Sequence, residues 1–156
     1  MQHSALGNIL RVGRCFDIFR RQQMKDLDLH PGLTLLLGHI CRNEGCSQEF
    51  LVEKVCLDKT TVAHHVAKLE EKGYIERKIS SEDARVRLVY PTDKARDLYP
   101  RIHESYNIFY NHLLSDLSEK DKEDISRLSD LLYQNALRLV KEGRSDKSVN
   151  GKEEGR

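Results

Sequence analysis

Asp58-Lys59-Thr60-Thr61-Val62-Ala63-His64-His65-Val66-Ala67-Lys68-Leu69-Glu70-Glu71-Lys72-Gly73 is the stretch on which the fold turns. Val62, Val66 and Leu69 recur at helical spacing and define an inward stripe. That leaves Lys59, Thr60, Thr61, His64, His65 and Lys68 outside, short hydrogen-bonding or cationic groups that no Leu or Phe interrupts. Asp58 can satisfy a free amide of the first turn, and Gly73 supplies the left-handed stop after the last.

Immediately before it, Ser47 is a good cap for a short helix reaching about Val55, so two short helices follow one another across a tight connection. After Gly73 the period changes. Tyr74 to Ile79 and Val86 to Tyr90 read as two strands around the polar loop Ser80 to Arg85, a β-hairpin. Arg85 and Arg87 are one strand period apart, which predicts that both project from one face, and Asp83 is placed to pair with and orient Arg85 or Arg77.

Working outward, Leu6, Ile9, Leu10, Phe16 and Phe19 give a first helix from about Ser4 to Met24 with one buried stripe. His30-Pro31-Gly32 breaks it, and a nearly all-apolar second helix, Leu33 to about Arg42, follows. Thr92 is positioned to cap a long helix carrying Ala95, Leu98, Ile102, Phe109 and Leu113. Ser118 opens another with Ile125, Leu128, Leu131, Leu132, Leu139 and Val140 on one side. The chain from Arg144 to Arg156 lacks apolar content and is expected to be disordered.

Composition sets limits. With 26 Lys and Arg against 25 Asp and Glu the formal charge is +1, so no broad positive field advertises a polyanion partner, and any nucleic-acid role must rest on local arrangement. No apolar run is long enough for a membrane span. Cys15, Cys41, Cys46 and Cys56 are scattered, with no Cys-x-x-Cys pair and no secretory leader pattern, which reads as structural thiols in a cytoplasmic protein. The histidines form no compact ligand motif, so neither metal nor other cofactor is expected. A Gly-rich phosphate loop, a Gly-x-Ser-x-Gly elbow and a paired-carboxylate setting are all missing, which argues against an enzyme. A purely helical interaction module is disfavoured by the Thr-rich helix face and by Arg85, which scaffolding does not need.

Helix, short helix, turn, helix, hairpin is the order of a winged helix-turn-helix. The stretches Gly45 to Leu51, Leu57 to Val62 and Lys68 to Arg77 resemble the helix-turn-helix of the multiple antibiotic resistance regulator (MarR) family, and Asp83 to Arg87 followed by Leu88 to Thr92 resembles its wing and exit. The resemblance implies a mainly α fold with a small β-hairpin wing: a DNA-binding winged helix-turn-helix over 31–92, helical dimerisation regions over 1–30 and 93–143, and a tail over 144–156. It implies a sequence-specific regulator of double-stranded DNA that binds a pseudo-palindromic operator as a homodimer, a repressor released by a small aromatic or phenolic effector. On that resemblance Ser47, Thr60, Thr61, His64, Lys68 and Arg85 match positions that usually face DNA, and the helix and wing pattern adds Lys59, Arg77, Asp83 and Arg87 as candidates, with Thr61 and His64 reading bases and Arg85 entering the minor groove. Phe16, Phe19, Leu37, His39, Ile40, Tyr99 and Tyr106 are candidate walls of the effector pocket. Cys56 stands in the turn between the paired helices, where the family commonly has Gly or Asn, so strain is expected there.

Overall fold

The His30-Pro31-Gly32 triplet starts a helix, while the helix before it already ends at Gln23. His30 is extended (φ −74°, ψ 162°), its Nδ1 accepts the Gly32 amide at 3.2 Å, and Pro31 opens the second helix, where its lack of an N–H costs nothing. The computed structural model describes residues 3–150, with side chains over 5–140. Within them the elements are α1 (His3–Gln23), α2 (Pro31–Arg42), β1 (Cys46–Ser47), α3 (Gln48–Val55), α4 (Lys59–Glu71), β2 (Ile75–Ile79), β3 (Arg87–Pro91), α5 (Asp93–Leu113) and α6 (Glu119–Asn150). The helix pair and the hairpin are where the sequence places them.

Caps explain the boundaries. Ser47 Oγ accepts the Phe50 amide at 3.1 Å, and Asp58 Oδ1 accepts the Thr61 amide at 2.9 Å. Gly73, at φ +73°, turns the chain out of α4 and its amide reaches the Glu70 carbonyl at 2.9 Å. Thr92 behaves differently from expectation: its hydroxyl donates to the Gly73 carbonyl at 2.8 Å, tying the wing exit to the end of α4, while its own carbonyl receives the Ala95 and Arg96 amides. Ser118 and Asp121 cap α6 reciprocally, each side chain accepting the other's amide at 3.2 Å.

The sheet has the order β1-β3-β2, all antiparallel. The extra strand, Cys46 opposite Val89 and Ser47 opposite Leu88, escapes a reading of period because two residues carry no alternation. Gly45 makes it possible: its φ is +75°, and a Cβ there would lie 2.9 Å from the Tyr90 hydroxyl.

The chain divides into two compact units between Asn111 and His112. In the first, Leu33, Leu36, Leu37 and Ile40 of α2 meet Leu51 of α3, Val62, Val66 and Leu69 of α4, and Val89 of β3, all fully buried. Truncating one such Leu to Ala typically costs about 2–5 kcal/mol, so this cluster is what holds the helix pair rigid. α1 joins α5 through aromatic contacts: Phe16 lies 4.8 Å from the rings of both Tyr106 and Phe109, and Phe19 lies 5.6 Å from Phe109. The stripe expected to be buried along α1 is split. Phe16 and Phe19 are partly covered, whereas Leu6, Ile9 and Leu10 are more than half exposed. In the second unit α6 exposes Ile125, Leu128, Leu131, Leu132, Leu139 and Val140. It extends to Asn150, into the segment from Arg144 expected to lack structure; 151–156 lie outside the described residues. Among the described residues no helix is long and apolar enough to cross a membrane.

Candidate nucleic-acid interface

α4 stands with its apolar stripe in the core and the opposite side open. Lys59, Thr60 and His64 are exposed and Thr61 and Lys68 partly so, while Val62, Val66 and Leu69 are fully buried. Its first turn presents backbone amides and partial positive charge, the arrangement that receives a phosphate. Thr61 has two duties: its amide and its hydroxyl, at 2.6 Å, both go to Asp58, which leaves the hydroxyl oxygen free only as an acceptor. Those two hydrogen bonds hold the Asp58 carboxyl below the usual carboxylate range. Lys59 sits 3.9 Å from Glu49, a loose surface pair. Ser47 is occupied as the α3 cap.

At the wing tip Ser80 Oγ accepts the Glu82 amide at 3.2 Å, and Asp83 Oδ1 accepts the Arg85 amide at 2.9 Å. Asp83 therefore orients Arg85 through its backbone, in a side-chain-closed turn. Arg85 lies in that turn, and β3 starts only at Arg87. Strand alternation thus does not govern its direction, and the shared-face argument for Arg85 and Arg87 fails because the turn intervenes. Arg85 and Arg87 are both exposed. Arg77, opposite Val89 in the hairpin, donates through Nη2 to Glu70 on α4. It is not held by Asp83, since the register points it toward α4 and away from the tip.

Of the candidate effector walls, two border one cleft. A cavity of about 230 Å³ is lined by Tyr99, Ile102, His103, Tyr106, Asn107 and Tyr110 of α5 with Gly38 and Arg42 of α2. Leu37 and Ile40 are fully buried in the core, Phe16 and Phe19 pack on Tyr106 and Phe109, and none of these four lines the cleft. His39 is half-buried, and its imidazole is held below its ordinary value by burial and by Arg42 and Lys54. Residues the sequence did not place at this cleft include Arg42 and His103, which put a cation and an imidazole on it, and Arg20 beside Tyr106. Arg20 is only 5% exposed, lies 4.7 Å from the Phe16 ring centroid, and donates to the Tyr106 hydroxyl at 3.1 Å. Amphipathic periodicity hides such an arginine, because it occupies a core position with a polar residue type.

Burial pushes the Cys41 thiol up to about 11 and raises Cys46 as well, which makes both poor nucleophiles at neutral pH. Among the described residues no cluster of His, Cys, Asp and Glu is arranged to hold a metal.

Residues 30–86 match the family model described as MarR family. The chain is 32% identical over 145 residues to the uncharacterized HTH-type transcriptional regulator YybA of Bacillus subtilis (strain 168), covering 88% of this chain and 97% of that protein. The chain belongs to the MarR family. Among solved structures, a MarR family regulator from Listeria monocytogenes complexed with 26mer DNA is 28% identical, with a TM-score of 0.82 over 88% of this chain and 94% of that one. The transcriptional regulator SlyA is 27% identical, with a TM-score of 0.83 over 86% and 95%. This MarR-family chain is a DNA-binding transcriptional regulator with a winged-helix fold, and not an enzyme.

Proposed function

We propose that this protein is a cytoplasmic homodimeric repressor that binds a pseudo-palindromic operator and is released by a small aromatic or phenolic anion. The observation that carries the reading is the outer face of α4, polar and open from Lys59 to Lys68, beside a wing whose Asp83 turn exposes Arg85. The α4 helices of two copies set one helical turn apart, near ~34 Å, enter adjacent major grooves. Thr61 and His64 face base edges, Lys59 and Lys68 face phosphates, and Arg85 from each copy enters the flanking minor groove. Ser47 and Asp83 shape the elements that carry those contacts. The second copy is supported by the apolar residues that α1 and α6 leave uncovered, Leu6, Ile9 and Leu10 on one and Leu128, Leu131, Leu132 and Leu139 on the other.

The cleft beside Tyr99 and Tyr106 is the effector site in this reading. An apolar cavity of about 150 Å³ accepts benzene, so this one has room for a single substituted ring, and Arg42 supplies a counter-charge for a carboxylate or phenolate. A ligand wedged between α2 and α5 changes the spacing of the two α4 helices, and a mismatch of a few ångströms prevents both from engaging.

Footprinting on the duplex that the protein recovers from a randomised pool tests this reading. Two protected major grooves about one turn apart, uncovered again by benzoate or phenol, are the expected result. A single protected groove, or protection that neither compound alters, contradicts the dimeric or the effector half of the proposal respectively.

A further inference from the structure

Arg77 is one of the cations that the DNA-binding reading directs at the operator, and its surroundings give it different work. It lies opposite Val89 in the β2–β3 register, and Val89 is fully buried. Directly paired residues of an antiparallel ladder project from the same face. Arg77 therefore leaves the hairpin on the side that packs against α4, and its guanidinium Nη2 donates to Glu70 Oε2 in the last turn of that helix. Both side chains are only about a third exposed, at 32% and 35%. Arg87, two residues before Val89 and opposite Ile79, leaves the same face.

We infer that Glu70 is a positioning residue for DNA binding: it clasps Arg77 and thereby fixes the wing against the recognition helix, so that Arg77 is a strut and not a DNA contact. The inference rests on the proposed placement of α4 in the major groove and the wing in the minor groove. The angle between them decides whether Arg85 arrives at the groove, and one ion pair spans exactly that joint while Asp83 fixes only the tip. The hydrogen bond from Arg77 holds the Glu70 carboxyl below the usual carboxylate range, with Arg87 adding to the effect, so Glu70 is charged throughout the neutral range. A carboxylate this close to the operator repels phosphates if it does nothing else. The two accounts therefore predict opposite signs.

The test uses the full-length protein and the duplex that wild type recovers from a randomised pool, with affinity measured across a salt series. As a strut, Glu70→Gln weakens binding about fivefold, whereas a merely repulsive Glu70 makes the same variant bind more tightly. Arg77→Gln weakens binding to a similar degree with the slope of log affinity against log salt unchanged. A phosphate contact instead lowers that slope by about 0.9. The reversed pair, Glu70→Arg with Arg77→Glu, restores most of the wild-type affinity. Should Glu70→Gln lower the melting temperature, the reversed pair and the Arg77→Gln slope still decide. Tighter binding by Glu70→Gln, a reduced slope for Arg77→Gln, or no recovery in the reversed pair overturns the inference while wild-type recognition stands. Failure of wild type to recover any duplex overturns the inference together with the reading beneath it.

Discussion

Cys56 holds φ at 52° in the turn between α3 and α4, the only non-Gly residue with positive φ among those described. A side chain in the left-handed region costs roughly 1–2 kcal/mol, and the helix-turn-helix needs that conformation to swing α4 away from α3. Cys56→Gly relieves the strain, less the backbone entropy that Gly adds to the unfolded chain. The expected outcome is a melting temperature higher by roughly 2–4 °C in a thermal scan, corresponding to about 1 kcal/mol. A lower melting temperature contradicts the strain. Gly45→Ala goes the other way, because its φ of +75° and the Tyr90 hydroxyl 2.9 Å from the added Cβ leave it no room. It should lose about 1–3 kcal/mol, read as a lower denaturation midpoint. The strain at Cys56 was legible through the family resemblance, because Cys stands where Gly or Asn is common. Ser47 and Asp58 were legible from the residues themselves, since a cap needs only neighbours. The Arg77–Glu70 pair was not. It depends on hairpin register and on how β2 meets α4, neither of which is written in seven residues of local sequence.

At the scale of elements, the junction between the start of α2 and the outer side of α4 is where pH acts. The rings of His30 and His65 are 5.0 Å apart, and His65 Nδ1 is buried without a hydrogen-bond partner among the described residues. Burial holds both imidazoles below their ordinary value of 6.5, with Lys68 and His64 adding like charge to each, His30 acting on His65, and Asp58 opposing the shift at His65. Depressed values mean that the unfolded chain takes up protons first. The stabilisation from neutral rings is thus complete above about pH 6.5 and lost as pH falls through the folded values. Protonating His30 Nδ1 also aims an N–H at the Gly32 amide it now caps. Melting temperatures at pH 5.5 should fall below those at pH 7.5, and His65→Gln should flatten the difference. An equal acid loss in that variant would contradict the assignment. Periodicity placed His65 on the outer side of α4 and gave no sign that His30 sits against it, because contacts between elements leave no periodic trace. The two-residue strand β1 was missed for want of any alternation, whereas the β2–β3 hairpin was readable from its own pattern.

For the whole molecule, the MarR-family match and the exposed apolar faces of α1 and α6 point the same way. The proposed regulator reads two half-sites and so needs two copies, and among the described residues these faces are exposed. Leu128→Asp combined with Leu132→Asp should convert a dimer to a monomer by sedimentation velocity and weaken operator binding by roughly 100-fold or more, since the second half-site no longer contributes. An unaltered dimer would place the interface elsewhere. The order of elements carried the winged-helix topology from the start, through the succession of helix caps and hairpin period, whereas the second copy came only from the family resemblance. The cleft proposed as the effector site was only partly readable: of the seven candidate walls Tyr99 and Tyr106 border it, and its cation, Arg42, lies on the last turn of α2. The measurement that tests the central claim most directly is binding to the DNA upstream of this protein's own gene, against random duplex, for wild type and Arg85→Ala at two salt concentrations. The account predicts that wild type prefers the upstream DNA at both salts and that the variant loses about 1–3 kcal/mol of that affinity. Equal binding of upstream and random duplex by both proteins at both salts would contradict it.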